Sequence, residues 1–285
     1  MPELPEVQTV VNDLKNHILG KTIYSVEILW PKTIHTPIAT DFAADLKNAK
    51  IENITRRGKF IVIKVASKST RHSLRVTRYW LTHLRMTGQF RVHDDAKLNT
   101  NIDKDIKHLR VKIHFTDGSE LIFIDSRKFA RMYLVEAVDA ITGKLGIEPL
   151  EIELKEFQKR VKSSKRSIKP LLLDQSFLSG IGNIYADESL YYAQIHPETA
   201  SDKLTPSRLE KLHTGIRHVL NKGIALNGAS FDQHYQRING QSGNYQAEFL
   251  VYGQKGKPCH RCQTPIKKII VAQRGTHFCP NCQKS

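Results

Sequence analysis

The sequence predicts an α+β protein: an N-terminal helix on a two-sheet antiparallel β-sandwich, then a helical domain and a small four-cysteine module. Three observations support this class. β-Branched runs fill the first half of the chain, helical periodicity follows residue 150, and all four cysteines lie within residues 259–282. A chain of 285 residues is long enough for two domains or more. We expect domains at 1–140 and 150–228, a connecting loop at 229–250, and the cysteine module at 251–285.

The N-terminal half begins with an amphipathic helix and continues as strands. From Pro5 to Leu19 apolar residues recur every three or four positions, and Gly20 follows as a stop signal. The aperiodic polar stretch His93–Lys107 is expected to be an exposed loop. Predicted strands are Thr22–Leu29, Ile51–Ile54, Phe60–Ala66, Leu109–Phe115 and Leu121–Asp125, with a short helix at Phe42–Leu46.

The second half reads as helices and a polar connection. Thr205 is a suitable N-cap for a helix that has Pro206 in its first turn. The Gly/Asn/Gln/Ser-rich stretch Ser230–Gln246 predicts a mobile loop. Predicted helices are Leu154–Val161, Ile168–Asp174, Ile184–Ile195 and Pro206–Leu226.

The charge of the chain indicates a polyanionic partner. Lys and Arg number 44 against 28 Asp and Glu, which gives a net charge of +16. Nucleic acid is the commonest partner of so basic a protein, although ribosome-associated and acidic-membrane proteins share the property. No apolar run approaches the ~18 residues of a membrane helix, and no signal peptide is visible. We expect a soluble, cytoplasmic protein.

The cysteine spacing predicts one structural zinc ion. The pattern is Cys259-x2-Cys262-x16-Cys279-x2-Cys282, in which each pair can form a tight knuckle. Four thiolates leave no coordination position for water, so the metal should stabilise the fold. The alternative is that the four cysteines are reduced thiols in an apolar core. This alternative is weak, because the cysteines have Pro258, Pro280 and charged residues as neighbours.

The first residues of the chain could carry chemistry. If Met1 is removed, Pro2 presents a secondary amine, and an α-amino group titrates near ~7.7–8.0, well below lysine. Attack by such an amine on a sugar aldehyde carbon gives a cationic iminium, which acidifies the adjacent C–H and favours elimination. Glu3 and Glu6 are candidate acid/base groups. The alternative is that Pro2, Pro5 and the glutamates merely start a helix.

Further motifs can be interpreted locally, before any comparison with a known family. Closely spaced glycines in Leu178-Ser179-Gly180-Ile181-Gly182 lead into Asn183, which predicts either a phosphate site at a helix start or a plain helix–turn–helix corner. Arg56-Arg57-Gly58-Lys59-Phe60 reads as a basic turn, and Met86 and Phe129 read as core residues. Ala272–Thr276 could form a hairpin turn with Arg274 at its tip.

Taken in order, these motifs resemble bacterial formamidopyrimidine-DNA glycosylases, the Fpg branch of the Fpg/Nei family of base-excision repair enzymes. The resemblance runs from Pro2 to Cys282 and includes Pro-Glu-Leu-Pro-Glu-Val, His83-Leu84-Arg85-Met86-Thr87-Gly88 and Asp125-Ser126-Arg127-Lys128-Phe129. It implies a catalytic first domain, a helix–two-turn–helix DNA-binding domain, a lesion-capping loop at 229–250 and a zinc finger. The implied catalytic residues are Pro2, Glu3, Glu6, Lys59 and Lys169, and the implied DNA contacts are His83, Met86, Arg127, Phe129, Asn183, Tyr252 and Arg274.

The resemblance implies a monomeric bifunctional DNA glycosylase/AP lyase acting on double-stranded DNA with oxidised bases or abasic sites. Its substrates would be formamidopyrimidines and 8-oxoguanine opposite cytosine, and strand cleavage would follow by β,δ-elimination. Departures from the family pattern are the long basic segment Ser67–Arg78, Ala130 in place of glycine, Ile147 in place of proline, and the Ser230–Gln246 stretch. They concern substrate preference. Two alternatives stay open: an endonuclease VIII-like enzyme for oxidised pyrimidines, and a non-catalytic zinc-containing DNA-binding protein.

Overall fold

The computed structural model describes residues 1–68, 75–93, 107–231 and 235–284. Most of the predicted loop His93–Lys107, and parts of Ser67–Arg78 and Ser230–Gln246, lie outside these residues. The chain forms two compact units. The first consists of Met1–Pro2, Glu6–Lys144 and Ala229–Gly243, and the second of Glu3–Pro5, Leu145–Gly228 and Asn244–Ser285.

Helix α1 (Leu4–Ile18) confirms the amphipathic pattern at the start of the chain. Its apolar residues Val7, Val10, Val11, Leu14 and Ile18 are all buried in the core of the first unit. Gly20, at φ +83°, adopts the left-handed backbone that ends a helix at low steric cost. The helix is therefore fixed by its buried face.

Two sheets form the first unit. One has the strand order β1-β7-β8-β6 and the other β2-β9-β5-β4-β3. Among the residues that the structure describes, the strand pairings of these sheets are antiparallel except that between β2 and β9, which is parallel and differs from the fully antiparallel expectation. A three-residue edge strand is too short for its direction to be read from the sequence. The strands are β1 (Ile23–Ile28), β2 (Ile34–Thr36), β3 (Lys50–Arg57), β4 (Phe60–Lys68), β5 (Arg75–His83), β6 (Gly88–His93), β7 (Leu109–Phe115), β8 (Glu120–Asp125) and β9 (Arg131–Val135).

Aromatic residues fill the centre of this unit. Trp80 is fully buried, and its ring meets Phe42 and Phe90 edge to face, with centroids 6.0 Å apart in both cases. Phe90 continues the cluster to Phe123 at 4.9 Å. Phe42 belongs to helix α2 (Ala39–Leu46), which the sequence predicted, and a short helix α3 (Asp139–Thr142) follows β9. Edge-to-face contacts of this kind add to the apolar burial.

The second unit is helical and ends in a hairpin. Its helices are α4 (Leu154–Lys162), α5 (Ile168–Leu173), α6 (Asn183–Tyr192) and α7 (Pro206–Ala225), and its strands are β10 (Lys267–Val271) and β11 (Arg274–Phe278). Thr205 caps α7 as predicted, because its hydroxyl accepts the Arg208 N–H at 3.3 Å. Among the described residues, no helix has both the length and the apolarity to cross a bilayer.

Replacing Leu14 should expose how strongly the first unit depends on α1. Leu14 is 0% exposed, so Leu14→Ala should lower the free energy of unfolding by about 2–5 kcal/mol. Both tryptophans, Trp30 and Trp80, lie in the first unit, so their fluorescence during urea unfolding reports on it. Leu19 is 47% exposed, and Leu19→Ala should change the value by no more than about 0.5 kcal/mol. Equal losses in the two variants would contradict the assigned core.

Candidate functional site

Glu3 lies at the start of helix α6. Its carboxylate oxygens accept the backbone N–H of Ile184 at 3.0 Å and of Tyr185 at 3.3 Å. The N-cap residue Gly182 has no side chain to do so. Glu3 therefore binds N–H groups of the helix start, where the sequence had predicted a phosphate site. The positive end of the helix dipole favours its anionic form.

Close packing around Gly182 makes this arrangement possible. A Cβ added at Gly182 would lie 2.2 Å from the carboxyl carbon of Glu3. At Gly180, where φ is +99°, a Cβ would meet Leu4 at 2.9 Å, and the Gly180 carbonyl accepts the Leu4 N–H at 3.0 Å. The two glycines of the predicted turn thus admit the Glu3-Leu4 segment.

Lys169 is buried within α5 and forms an ion pair. Its ammonium lies 2.6 Å from Asp187 Oδ1, and both side chains are 0% exposed. It also donates to Thr276 Oγ1 at 2.8 Å and to the Gly275 carbonyl at 3.2 Å. Burial lowers the pKa of Lys169, and the negative charges of Asp187 and Glu3 oppose that shift.

Asn183 contacts Gly275, the hairpin residue that follows Arg274. Asn183 Nδ2 donates to the Gly275 carbonyl at 2.8 Å, directly beside the exposed Arg274. Arg274 begins β11, opposite Val271, and is not at the hairpin tip as expected. The tip is Ala272 and Gln273, with φ of +46° and +62°, because a two-residue hairpin favours positive φ at both positions.

Tyr252 is held by a second buried acid of α6. Glu188 accepts the N–H groups of Leu250, Val251 and Tyr252 at 3.0, 3.0 and 2.8 Å. Burial raises the pKa of Glu188, and these hydrogen bonds oppose the shift. The Tyr252 ring packs against His277, with centroids 5.1 Å apart.

In the first unit, the β4–β5 ladder places Lys59 next to His83. Phe60 pairs with His83, and their rings are 4.8 Å apart. His83 Nδ1 accepts the Arg85 N–H at 3.0 Å, which leaves the proton on Nε2. Burial, with the nearby charges of Arg85 and Lys59, lowers the pKa of His83 to about 3. The ring is therefore neutral at physiological pH.

The structure brings Met86, Arg127 and Phe129 together. Arg127 Nη1 lies 3.2 Å from the sulfur of Met86, and the guanidinium lies 4.9 Å from the centre of the Phe129 ring. Phe129 is 48% exposed. A core role is therefore excluded for Phe129, and the group forms an apolar and cationic projection.

Buried Asp125 fixes the loop that carries Arg127 and Phe129. It accepts the backbone N–H of Arg127 at 3.2 Å and of Ala130 at 2.8 Å, and also the Thr87 hydroxyl. Ala130, which departs from the family glycine, is buried in the core of the first unit. The fold therefore accommodates this departure.

Glu6 and Pro2 belong to the first unit. Glu6 is buried and accepts the Ala229 N–H at 2.8 Å, so it holds the start of the 229–243 segment. Further along, Arg237 donates to both oxygens of Asp13, at 2.6 and 3.1 Å. Pro2 is buried, and with Met1 attached its nitrogen is part of a peptide bond.

The four cysteines fit a zinc ion. Their sulfurs all lie within 4.8 Å of one another. Zinc held about 2.3 Å from four sulfurs in a tetrahedron separates them by about 3.8 Å. The measured separations are 3.9 Å for Cys259–Cys282, 3.5 Å for Cys262–Cys279 and 3.4 Å for Cys262–Cys282. The site holds one structural zinc, as predicted.

Comparison with known proteins gives three family matches. Residues 1–132 match the formamidopyrimidine-DNA glycosylase N-terminal domain, residues 145–234 its H2TH domain, and residues 256–284 the zinc finger found in FPG and IleRS. Together these matches define a DNA-glycosylase architecture.

Full-length relatives agree with that class. The formamidopyrimidine-DNA glycosylase of Protochlamydia amoebophila is 40% identical, with all of both chains covered, and that of Enterococcus faecalis is 41% identical, with 100% of this chain and 98% of that protein covered. The Lactococcus lactis Fpg in complex with abasic-site DNA superposes with a TM-score of 0.85 at 34% identity, covering 99% of this chain and 100% of that one. The chain belongs to the formamidopyrimidine-DNA glycosylase family.

Sequence analysis missed the acids that hold the site residues. Asp187 and Glu188 stand side by side in a helix whose other residues from Tyr185 to Tyr191 are buried. Two adjacent acids in so apolar a segment are a signal of buried partners. Asp125, at the end of an apolar strand, carried the same signal.

The depressed pKa of His83 predicts a specific loss of stability in acid. The folded state disfavours protonation, so stability is lost as pH falls from about 6.5 toward about 3. Between pH 7 and pH 5 this residue should contribute a loss of about 2 kcal/mol. In His83→Gln, urea unfolding followed by tryptophan fluorescence should show that much less pH dependence, whereas the exposed His35→Gln should behave as the wild type. A wild-type profile in both variants would refute the neutral ring.

Proposed function

We propose that this chain is a bifunctional DNA glycosylase/AP lyase that removes formamidopyrimidines and 8-oxoguanine opposite cytosine. The observation that carries the proposal is the Glu3 carboxylate, fixed by Ile184 and Tyr185 N–H one residue after Pro2. A carboxylate so held is a positioned acid/base beside a potential amine nucleophile. The oxidised-purine preference rests on the resemblance of the Arg127 and Phe129 loop to the Fpg branch.

The reaction begins with removal of Met1, which converts the Pro2 nitrogen into a secondary amine. That amine attacks C1′ of the damaged nucleotide, the C1′–N bond to the base breaks, and the base leaves with a proton. Glu3 accepts the proton that the Pro2 amine loses on attack and passes it to the ring oxygen as the deoxyribose opens, which leaves an iminium between Pro2 and C1′. Loss of a C2′ proton expels the 3′ phosphate, and a second elimination expels the 5′ phosphate. The covalent amine takes the role of an activated water.

The remaining predicted residues are assigned to DNA contacts. Lys59, Asn183, Tyr252 and Arg274 contact backbone phosphates, and His83 adds a neutral N–H donor. Met86, Arg127 and Phe129 fill the space left by the flipped nucleotide, and Arg127 reads the opposite cytosine. Filling that space offsets the few kcal/mol of unstacking. Glu6 supports the chemistry through the 229–250 segment, which we propose caps the lesion. The enzyme acts as a monomer on duplex DNA in the cytoplasm.

Borohydride trapping tests the proposal directly. A duplex with 8-oxoguanine opposite cytosine should give a reduced covalent adduct, since borohydride reduces an iminium to a stable amine. Mass spectrometry should place the attachment at Pro2. Pro2→Gly leaves a primary α-amine in place of the secondary amine, so it should form the adduct more slowly while retaining zinc and DNA binding.

The comparison of substrates separates the alternatives. Faster turnover of 8-oxoguanine than of thymine glycol is expected, and the reverse order would assign the chain to the oxidised-pyrimidine enzymes. A zinc-loaded protein that lacks Met1, binds the duplexes and neither traps nor cuts either lesion would be a DNA-binding protein instead.

Gly182→Ala should displace the carboxylate of Glu3 while leaving residue 3 itself unchanged. The added methyl group would displace a carboxylate whose carbon lies 2.2 Å from its position, so base excision should fall by about 10²-fold or more. Gly256→Ala is a stricter control, because its Cβ meets nothing within 4 Å and its φ of +82° adds a backbone strain that Gly182, at φ −130°, does not have. Single-turnover excision at saturating enzyme measures both. Unchanged excision in Gly182→Ala would remove Glu3 from the proton transfer.

A further inference from the structure

The ammonium of Lys169 has no donor left for a substrate. It carries three N–H bonds. Asp187, Thr276 and Gly275 lie 2.6, 2.8 and 3.2 Å from it, and its side chain is 0% exposed. A lysine that acts on a sugar or phosphate must present at least one donor. The sequence-based role of Lys169 near the reactive sugar is therefore in conflict with its surroundings.

Asp187 uses its second oxygen on the same hairpin. Oδ2 accepts the backbone N–H of His277 at 2.8 Å. The pair formed by Asp187 and Lys169 thus grips three consecutive residues of β11: Gly275, Thr276 and His277. These residues follow Arg274 directly, so the buried pair sets the position of the strand that carries Arg274.

Gly275 connects the buried pair to Asn183. Its carbonyl accepts both Lys169 Nζ at 3.2 Å and Asn183 Nδ2 at 2.8 Å. The Asn183 amide keeps a second N–H, and Arg274, the residue before Gly275, is exposed. The positions of Asn183 and Arg274 therefore both depend on strand β11, and buried charged groups hold that strand in place.

We propose that Asp187, acting through Lys169, is a positioning residue that holds Arg274 and Asn183 as one phosphate-binding pair. The identity of the anion as a DNA phosphate rests on the proposed function. Lys169 itself touches neither sugar nor phosphate. The network positions groups that bind DNA, and it takes no part in the reaction at the deoxyribose.

The salt dependence of DNA binding is the test, because each ionic contact with a phosphate adds a known amount to the slope of log K against log salt. Equilibrium binding to a duplex with a reduced abasic-site analogue is measured between 50 and about 300 mM NaCl. Arg274→Ala should make the slope of log K against log salt shallower by about 0.9. Asp187→Asn should do the same, and the variant carrying both changes should show no further loss, since coupled residues are not additive.

Replacing both Lys169 and Asp187 with apolar residues controls for loss of folding. Removing one partner of a buried ion pair is strongly destabilising, whereas replacing both with apolar residues is often tolerated. Lys169→Met combined with Asp187→Leu should therefore fold and retain zinc, yet still show the shallower slope because the strand has lost its donors and acceptor. Zinc content and thermal melting confirm that each variant is intact.

The saturating rate separates positioning from catalysis. With enzyme in excess and the site saturated, excision of 8-oxoguanine by Asp187→Asn and by the charge-free variant should fall less than about threefold, while the dissociation constant rises about tenfold. A catalytic Lys169 would instead lower the saturating rate by about 10² or more, and that result would overturn the inference.

The remaining outcomes are distinct. A shallower slope in Arg274→Ala with a wild-type slope in both Asp187 variants would overturn the positioning role alone. A wild-type slope in Arg274→Ala would remove that phosphate contact from the proposed function and the inference with it. Neither result would bear on the Pro2 adduct, which tests the glycosylase reaction separately.

Discussion

Helix α6 is the constraint on which the second unit depends. It is buried along most of its length, Asp187, Glu188 and Ser189 included. A buried acid is costly unless its oxygens are satisfied, so each one dictates what must pack beside it. Asp187 requires Lys169 and the His277 N–H, and Glu188 requires the N–H groups of Leu250, Val251 and Tyr252. The helix start requires an acceptor, and Glu3 is that acceptor.

Zinc and the α6 acids have separate tasks in the same module. The four thiolates close the knuckles and make the module fold. Direct hydrogen bonds hold the hairpin next to Asn183 and Asp187. Of the two adjacent acids, Asp187 holds the hairpin and Glu188 holds the chain entering the module. Within the second unit, metal binding supplies stability, and the buried carboxylates hold the hairpin and the chain entering the module in place.

The sequence predicted the main helices, five strands of the first unit and the zinc site, because periodicity and cysteine spacing are local properties, but it did not predict strands β2, β5, β6 and β9. Helix α1, strand β7, the Thr205 cap and the four-cysteine cluster were all visible in the pattern. It did not predict the direction of β2 or the burial of Lys169. Neither feature follows from neighbours in the chain. The direction of β2 depends on β9, almost 100 residues away, and the burial of Lys169 depends on Asp187, 18 residues further along the chain. Tertiary burial of a charge has no local signature beyond its apolar surroundings.

Both units use carboxylates to hold backbone and leave cations for the surface. Asp125 accepts the N–H groups of the loop carrying Arg127, as Glu188 does for the segment of Tyr252 and Glu3 for the start of α6. An acid engaged with backbone N–H groups neutralises no surface arginine or lysine at close range. The net charge of +16 already counts these acids, so the positive potential toward a polyanion comes from the excess of lysine and arginine, and the anchoring acids do not cover those surface cations one by one. A chain that anchored the same loops by surface ion pairs would reduce the positive potential that attracts its substrate.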